Sequence, residues 1–336
     1  MNKVIKFALS LLIGLVIFLI VMLKVGLENI VQAFLLFFNV EGLTIVAITA
    51  LFVLVGISRW KFILKWHGND FSFKELTPLW LIGFSMSFLT PFSVFGGEVF
   101  RIYFTKKKFA KISIERAISS VCIDKLLDSL VFFFVLVAGL FTFLYFGHMP
   151  KSAAFLSFLL LPLVFLLLLL FFFIKKWRKQ SLVEWAVKHL RFNKFLNGKG
   201  EEVMKKAEKE IFKFFSFKNK KFFIGLLLSF LRYGVLLFRT LVLIAFLTGS
   251  FGFFKALASY AFTNLAGLMP LPAVLGALEV GQGFVFKVFG FGFDKGTVFS
   301  MIWRGADLLL CLFGVVFMIK HTVWIAQEKL FKIFER

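Results

Sequence analysis

The chain has 336 residues, 60% of them hydrophobic, with 53 phenylalanines, a mean hydropathy of +0.92 and 40 Lys/Arg against 18 Asp/Glu. A charged fraction of 17%, confined to a few segments, excludes a water-soluble globular protein and leaves a polytopic membrane protein with its basic surplus in the loops. Cys122 and Cys311 both fall in apolar segments, and His67, His148, His189 and His321 have no ligand spacing, so neither a disulfide framework nor a metal site is expected, and no cofactor.

The first apolar run, Phe7 to Leu23, has basic flanks and no small-residue cleavage site, which predicts a retained span rather than a signal peptide. Leu27, Ile30, Val31, Phe34 and Phe38 recur at helical spacing between Gly26 and Glu41, predicting an external interfacial helix. Leu43 to Ser58 is the second span, close to the roughly 20 residues a bilayer requires. Arg59, Lys61, Lys65 and Lys74 follow it, which places that loop, and hence the N-terminus, in the cytoplasm.

Ser72 and Glu75 form a capping box that opens a helix ending at Pro91. From Thr77 to Leu89 that helix spans only about 20 Å at 1.5 Å per residue, against roughly 30 Å of hydrocarbon. Gly96 and Gly97 follow the proline, then Glu98 and Arg101 one turn apart, then a basic stretch from Lys106 to Arg116. Both flanks are basic, so the expected element is a re-entrant hairpin over 76–104 that enters from the cytoplasm, with its tip at Pro91 to Gly97.

Ala117 to Phe146 is a long span carrying Asp124, Lys125 and Asp128, and Ala153 to Ile174 returns. The loop over 175–221 carries fifteen Lys/Arg against five Glu and is expected in the cytoplasm. Within it, Ser181 to Glu184 forms a second capping box, and Val203, Ala207, Ile211, Phe214 and Phe215 line one side of a basic amphipathic helix. That helix suits either anionic lipid headgroups or a plain solvated basic face.

Phe222 to Thr248 is a span with Arg232 and Arg239 on one face, seven residues apart. A charge near mid-bilayer costs at least about 2.5 to 3.5 kcal/mol, so both should face protein or water; snorkelling to opposite interfaces is the competing reading. A second hairpin over 254–289 has flanks poor in basic residues and is expected to enter from outside. Its break is Pro270, Pro272 and Gly276, followed by Glu279. Thr297 to Ile319 then crosses inward to a basic tail, so both termini are expected in the cytoplasm.

The two hairpin regions share an order: proline, glycine, glutamate, then a basic residue and an aspartate three apart. Glu98 precedes Lys125 by 27 positions and Asp128 follows; Glu279 precedes Arg304 by 25 and Asp307 follows. Five features in one order indicate a diverged internal repeat, 43–146 and 222–319, within a single membrane domain over 1–336. The expected fold is therefore all-α and polytopic, with six full transmembrane helices and two re-entrant broken-helix hairpins related as an inverted repeat. In transporters of that architecture the substrate site lies near the midplane, and half-helix N-termini face anionic groups.

The stretch PFSVFGGEVFR, the helix after it with its charged pair, PLP..LGALE and WRGADL together resemble the flippase-like membrane region of lysylphosphatidylglycerol synthases, the multiple peptide resistance factor family. The likeness covers most of the chain. Where the family commonly shows Glu-Arg after GGE this chain has Asp124-Lys125, and there is no room for the soluble aminoacyl-transferring domain. The resemblance implies a stand-alone lipid translocase of the cytoplasmic membrane rather than an enzyme. In that role Arg232, Arg239, Lys125 and Arg304 would engage a phosphate or carboxylate, and Glu98, Glu279, Asp128 and Asp307 would balance charge and gate; Arg101, one turn from Glu98, would satisfy that acid locally, leaving Glu279 the less compensated of the two. The expected partners are membrane lipids, anionic phospholipids above all, with homo-oligomerisation open and no nucleic acid. Three alternatives stand beside it: acid-base pairs that only cross-link the bundle, a lipid-modifying enzyme, for which no nucleophile-base set appears, and a non-catalytic scaffold with a dry midplane.

Overall fold

The computed structural model describes residues 35, 38–90, 96–146, 153–189, 198–216 and 218–334, with side chains described except at 153–162 and 324–334. The expected span from Phe7 to Leu23, the interfacial stretch up to Phe34, and Pro91 at the first hairpin break lie outside the described residues.

Every described element is helical. The chain runs α1 (Val40–Trp66), α2 (Phe73–Leu89), α3 (Gly96–Lys108), α4 (Ile114–Phe146), α5 (Ala153–Trp177), α6 (Leu182–His189), α7 (Gly198–Phe214), α8 (Lys220–Thr248), α9 (Phe253–Ala266), a short 3₁₀ turn (Pro272–Val274), α10 (Ala277–Val288) and α11 (Phe293–Phe334). Among the described residues α1, α4, α8 and the Phe293–Val323 part of α11 are long and apolar enough to cross a membrane. Phe134 and Phe141 on α4, Leu227 and Phe238 on α8, and Phe313 and Val316 on α11 are exposed, as expected of faces turned to lipid rather than water.

Four of the expected spans are present among the described residues, as α1, α4, α8 and α11, and Ala153 to Ile174 falls within the helix α5; their ends differ for local reasons. α1 continues past Ser58 to Trp66, so Arg59 is not a loop residue but a fully buried one inside a helix. The Ser72 box forms as expected: Glu75 N–H donates to Ser72 Oγ, and Ser72 N–H donates to the Glu75 carboxylate at 2.7 Å. The second box is only half made, since Glu184 N–H donates to Ser181 Oγ while the start of α6 is capped by Glu208 of α7. The stretch after Ile319 continues α11 without a break to Phe334.

Two short pairs, α2 with α3 and α9 with α10, are the broken-helix elements, and each packs across the molecule. α2 lies against α11, and α9 lies against α4. Each crossing is close because the long helix offers a glycine. A Cβ on Gly314 would lie 2.2 Å from Leu81 O, and one on Gly139 would lie 2.2 Å from Ala261 Cβ. α1 and α8 pack on one another between these crossings.

The apolar core has three parts. The largest gathers Trp60, Trp80, Phe299 and Trp303; a second holds Leu136, Phe143, Phe262 and Val285; a third holds Ile63, Ile123, Phe214, Phe215 and Phe222. The third corrects the reading of the amphipathic helix α7. Its apolar side, with Ala207 and Phe214, is occupied by the protein's own core, where α7 packs on α4. The same region buries His67, whose Nε2 lies 3.0 Å from Ser119 Oγ. Desolvation, with Arg116 and Lys213 nearby, pushes the His67 imidazole down to about 4, so it is neutral near pH 7 and its 3.9 Å approach to Glu210 is no ion pair there.

Candidate functional site

Most of the charged residues singled out by spacing converge where the two hairpins meet α1, α4, α8 and α11. Glu98 in the first turn of α3 pairs with Lys125 of α4 at 3.0 Å. Glu279 in the first turn of α10 pairs through both oxygens with Arg304 of α11. These are the two couples that the repeated pattern aligned. Arg101 does not satisfy Glu98 on its own helix; its Nη1 donates to Asp124 Oδ2 at 2.8 Å, and its guanidinium stacks 4.0 Å from the Trp60 ring.

Glu279 is not the less compensated acid. It is fully buried, it accepts from Gly276 N–H at 3.0 Å, and Arg304 also donates to Val274 O at 3.0 Å. Those contacts hold a strained break: Ala273 and Val274 have φ of 51° and 55°, where side chains crowd the backbone, and Gly276 has φ of 78°. Pro272 starts the 3₁₀ turn and Pro270 lies just before it in the connection.

Arg232 and Arg239 both point inward, which removes the snorkelling reading. Arg232 Nη1 donates to Asp128 Oδ2, and its guanidinium sits 4.6 Å from the Phe52 ring and 5.7 Å from Trp80. Arg239 Nη1 donates to Asp307 Oδ1 at 3.0 Å and to Thr49 Oγ1 at 3.1 Å, while the guanidinium stacks 3.6 Å from Trp303.

Arg59, assigned to a basic loop by its position in the sequence, is the hub of the site. Its Nε donates to Asp124 Oδ1 at 2.7 Å, its Nη2 to Asp128 Oδ2 at 3.0 Å, and its Nη1 to Asp128 Oδ1 and to Ser229 Oγ at 2.8 Å. A signal for it exists in the sequence. Residues 59 and 239, 98 and 279, 125 and 304, 128 and 307, and 49 and 229 are each 179–181 positions apart. The contacts follow that offset: Arg59 of α1 bonds the hydroxyl of Ser229 on α8, and Arg239 of α8 bonds the hydroxyl of Thr49 on α1.

Two cavities open among these groups. The larger, of about 310 Å³, reaches from Asp128 and Arg232 past Tyr260 to Arg239, Asp307 and the end of α9 at Gly267. The smaller, of about 130 Å³, lies between α2 and α3, with Ser87, Gly97, Glu98 and Arg101 in its wall. Phe84, Lys125, Asp128 and Arg232 line both. Glu279 and Arg304 line neither, so the two hairpin glutamates share an ion-pair pattern without sharing a cavity. Isolated charges at such depth would be prohibitive, and each carboxylate here has at least one cationic partner.

An all-helical bundle with membrane-crossing helices around a buried charged site is a polytopic membrane protein. More narrowly, residues 4–314 match the family described as the lysylphosphatidylglycerol synthase TM region, and the chain belongs to that family. Among curated relatives it is 27% identical over 318 residues to a UPF0104 membrane protein of Methanocaldococcus jannaschii, covering 92% of each chain. It is 24% identical over 294 residues to a UPF0104 membrane protein of Pyrococcus horikoshii, covering 84% of this chain and 87% of the relative. No solved structure matches it.

Proposed function

We propose that the protein is a flippase-like transporter that moves the head of an anionic lipid across the cell membrane through the two adjoining cavities. The observation that carries this reading is the wall that both cavities share, Lys125, Asp128, Arg232 and Phe84, set at the meeting of two broken-helix hairpins. A scaffold has no use for a charged cavity of about 310 Å³ among membrane-crossing helices, and pairs that only cross-linked the bundle would not need to line one.

The halves over 43–146 and 222–319 are read as an inverted repeat. What supports this is the near-constant 180-residue offset together with the reciprocal packing of α2 on α11 and α9 on α4. In such folds one half rocks against the other around a site between them. On this reading Arg232 and Arg239 receive the lipid's negative group in turn, and Asp128 and Asp307 hold the guanidiniums when the site is empty. Both termini and the basic segment over 175–221 lie in the cytoplasm, as the Lys/Arg distribution supports.

The test is translocation of fluorescent phosphatidylglycerol in proteoliposomes made with the purified protein. Translocation is expected, with a loss of at least about tenfold in Arg232→Leu and Arg239→Leu proteins that still insert and run as single species. No translocation by the parent protein, or undiminished translocation by the double Leu variant, would overturn the reading.

A further inference from the structure

Buried charges in this site do not balance. Glu98 with Lys125, Asp307 with Arg239 and Glu279 with Arg304 are one-to-one pairs. The remaining five groups form one network in which three guanidiniums, Arg59, Arg101 and Arg232, share two carboxylates, Asp124 and Asp128. Its formal charge is one positive. An uncompensated charge away from water is costly, and four of the five groups, Arg101, Asp124, Asp128 and Arg232, line the smaller cavity.

Arg101 is the under-used member. Only Nη1 has an acceptor; Nε and Nη2 are buried with no hydrogen-bond partner, and 10% of the side chain is exposed. It lies in the second turn of the 13-residue helix α3 and in the wall of the smaller cavity with Gly97, near a helix N-terminus, where backbone dipoles favour an anion, although the Gly97 N–H itself donates to Ser87 Oγ at 3.1 Å. A Cβ on Gly83 would come 3.1 Å from Arg101 Cδ, so that glycine gives the side chain its room. The other ionisable groups in the wall are paired, Glu98 with Lys125, Asp124 and Asp128 with Arg59, and Arg232 with Asp128, although Glu98 Oε2 and Arg232 Nε have no hydrogen-bond partner; Arg101 has two such donors.

The second half lacks this feature. Gln282 stands 181 positions after Arg101; it is neutral, fully buried and satisfied, with Nε2 donating to Ser259 O and Thr263 Oγ1 and Oε1 accepting from Ser259 Oγ. Asp124 likewise has Trp303 as its counterpart, 179 positions on. The first half therefore carries an Arg101–Asp124 pair that the second replaces by two neutral residues, and the cation that tips the network to one positive is Arg232, whose counterpart 180 positions earlier is Phe52.

We propose that the smaller cavity is a subsite for a single negative charge, the phosphodiester of a phospholipid head held by Arg101 Nη2 and Nε at the start of α3, and that this one-charge match selects heads of net charge minus one. The proposal rests on the reading of the cavities as a lipid path, but binding tests it without transport. The full-length protein in detergent is titrated with phosphatidylglycerol, phosphatidylcholine of the same chain length, and inorganic phosphate, and binding is read by native mass spectrometry. Phosphatidylglycerol is expected to bind at least about tenfold tighter than phosphatidylcholine, whose head is neutral overall, and Arg101→Gln, which copies the second half, should abolish that preference. Should Arg101→Gln fail to run as a single species, Arg101→Lys keeps the charge with fewer donors and should keep the preference in weakened form. Equal binding of the two lipids by the parent protein, or an unchanged preference in Arg101→Gln, would overturn the proposal. Displacement of phosphatidylglycerol by millimolar phosphate would reassign the subsite to a free oxyanion and overturn the lipid assignment. Selective binding with no translocation would instead defeat the transport reading and leave the subsite standing.

Discussion

Replacing Glu279 by Gln and Glu98 by Gln should have very different costs, although the two acids occupy equivalent places in the repeated pattern. Glu279 has no exposed surface, its partner Arg304 is 11% exposed, and the pair also ties down the unwound backbone through Gly276 N–H and Val274 O. Breaking a buried pair leaves the other charge uncompensated and costs about 3–5 kcal/mol. The amide of Gln can still accept from Gly276 N–H and Arg304 keeps Val274 O, so the lower end of that range, about 3 kcal/mol, is expected. Glu98 and Lys125 are 19% and 31% exposed, where solvent screens both charges, so Glu98→Gln should cost about 1 kcal/mol or less. The difference of about 2 kcal/mol is a factor of roughly thirty in the folded-to-unfolded ratio. Equilibrium unfolding in mixed micelles measures it, and the double variant Glu279→Gln, Arg304→Gln should recover part of the loss, since it removes the stranded cation. An equal or larger loss in Glu98→Gln would refute the burial reasoning.

Acid should weaken the bundle at the end of α1 through His67. Its folded-state proton affinity lies below the ordinary value of 6.5, at about 4, so the unfolded chain takes up the proton first. Its contribution is therefore complete above pH 6.5 and lost as the pH falls toward 4, by about 3 kcal/mol, and unfolding against pH should flatten over that interval in His67→Gln. Gly139→Val and Gly314→Val should each cost about 1–3 kcal/mol by forcing apart α4 from α9 and α11 from α2, whereas Gly234→Ala, with nothing within 4 Å, should be neutral or slightly stabilising; thermal unfolding in one detergent ranks all three.

Much of the architecture could be read from the chain because its signals are local or periodic. Apolar runs of bilayer length marked α4 and α8 to within three residues and the starts of α1 and α11 to within four, but not the polar continuations of α1 to Trp66 and of α11 to Phe334, and Ser72 with Glu75 marked the start of α2. The couples Glu98 with Lys125 and Glu279 with Arg304 were visible because each joins the first turn of a half-helix to the next span at nearly one spacing. Arg59 was hidden by a rule that is right on average: a basic residue at the end of an apolar run usually marks a cytoplasmic loop, and only its 180-residue offset from Arg239 betrays it. Arg101 was misassigned because Glu98 is its neighbour along one helix. Which of two adjacent α4 residues each one meets depends on how α3 is rotated against α4, and the structure gives Lys125 to Glu98 and Asp124 to Arg101. For α7 the apolar stripe was correct, but a stripe does not say whether lipid or protein covers it; Phe214 and Phe215 pack on α4 and α8 residues of the third core instead.

The central claim, that the halves of this chain face the membrane in opposite senses, is tested most directly by one pair of labels. Lys107 at the end of α3 and Lys287 at the end of α10 are both exposed and stand 180 positions apart. Single cysteines placed there, in a protein whose own Cys122 and Cys311 are replaced by Ser, are treated with a membrane-impermeant maleimide in intact cells and in inverted vesicles. The expected result is that Lys287→Cys reacts only in cells and Lys107→Cys only in inverted vesicles. Reaction of both from the same side would contradict the inverted repeat and the transport path built on it.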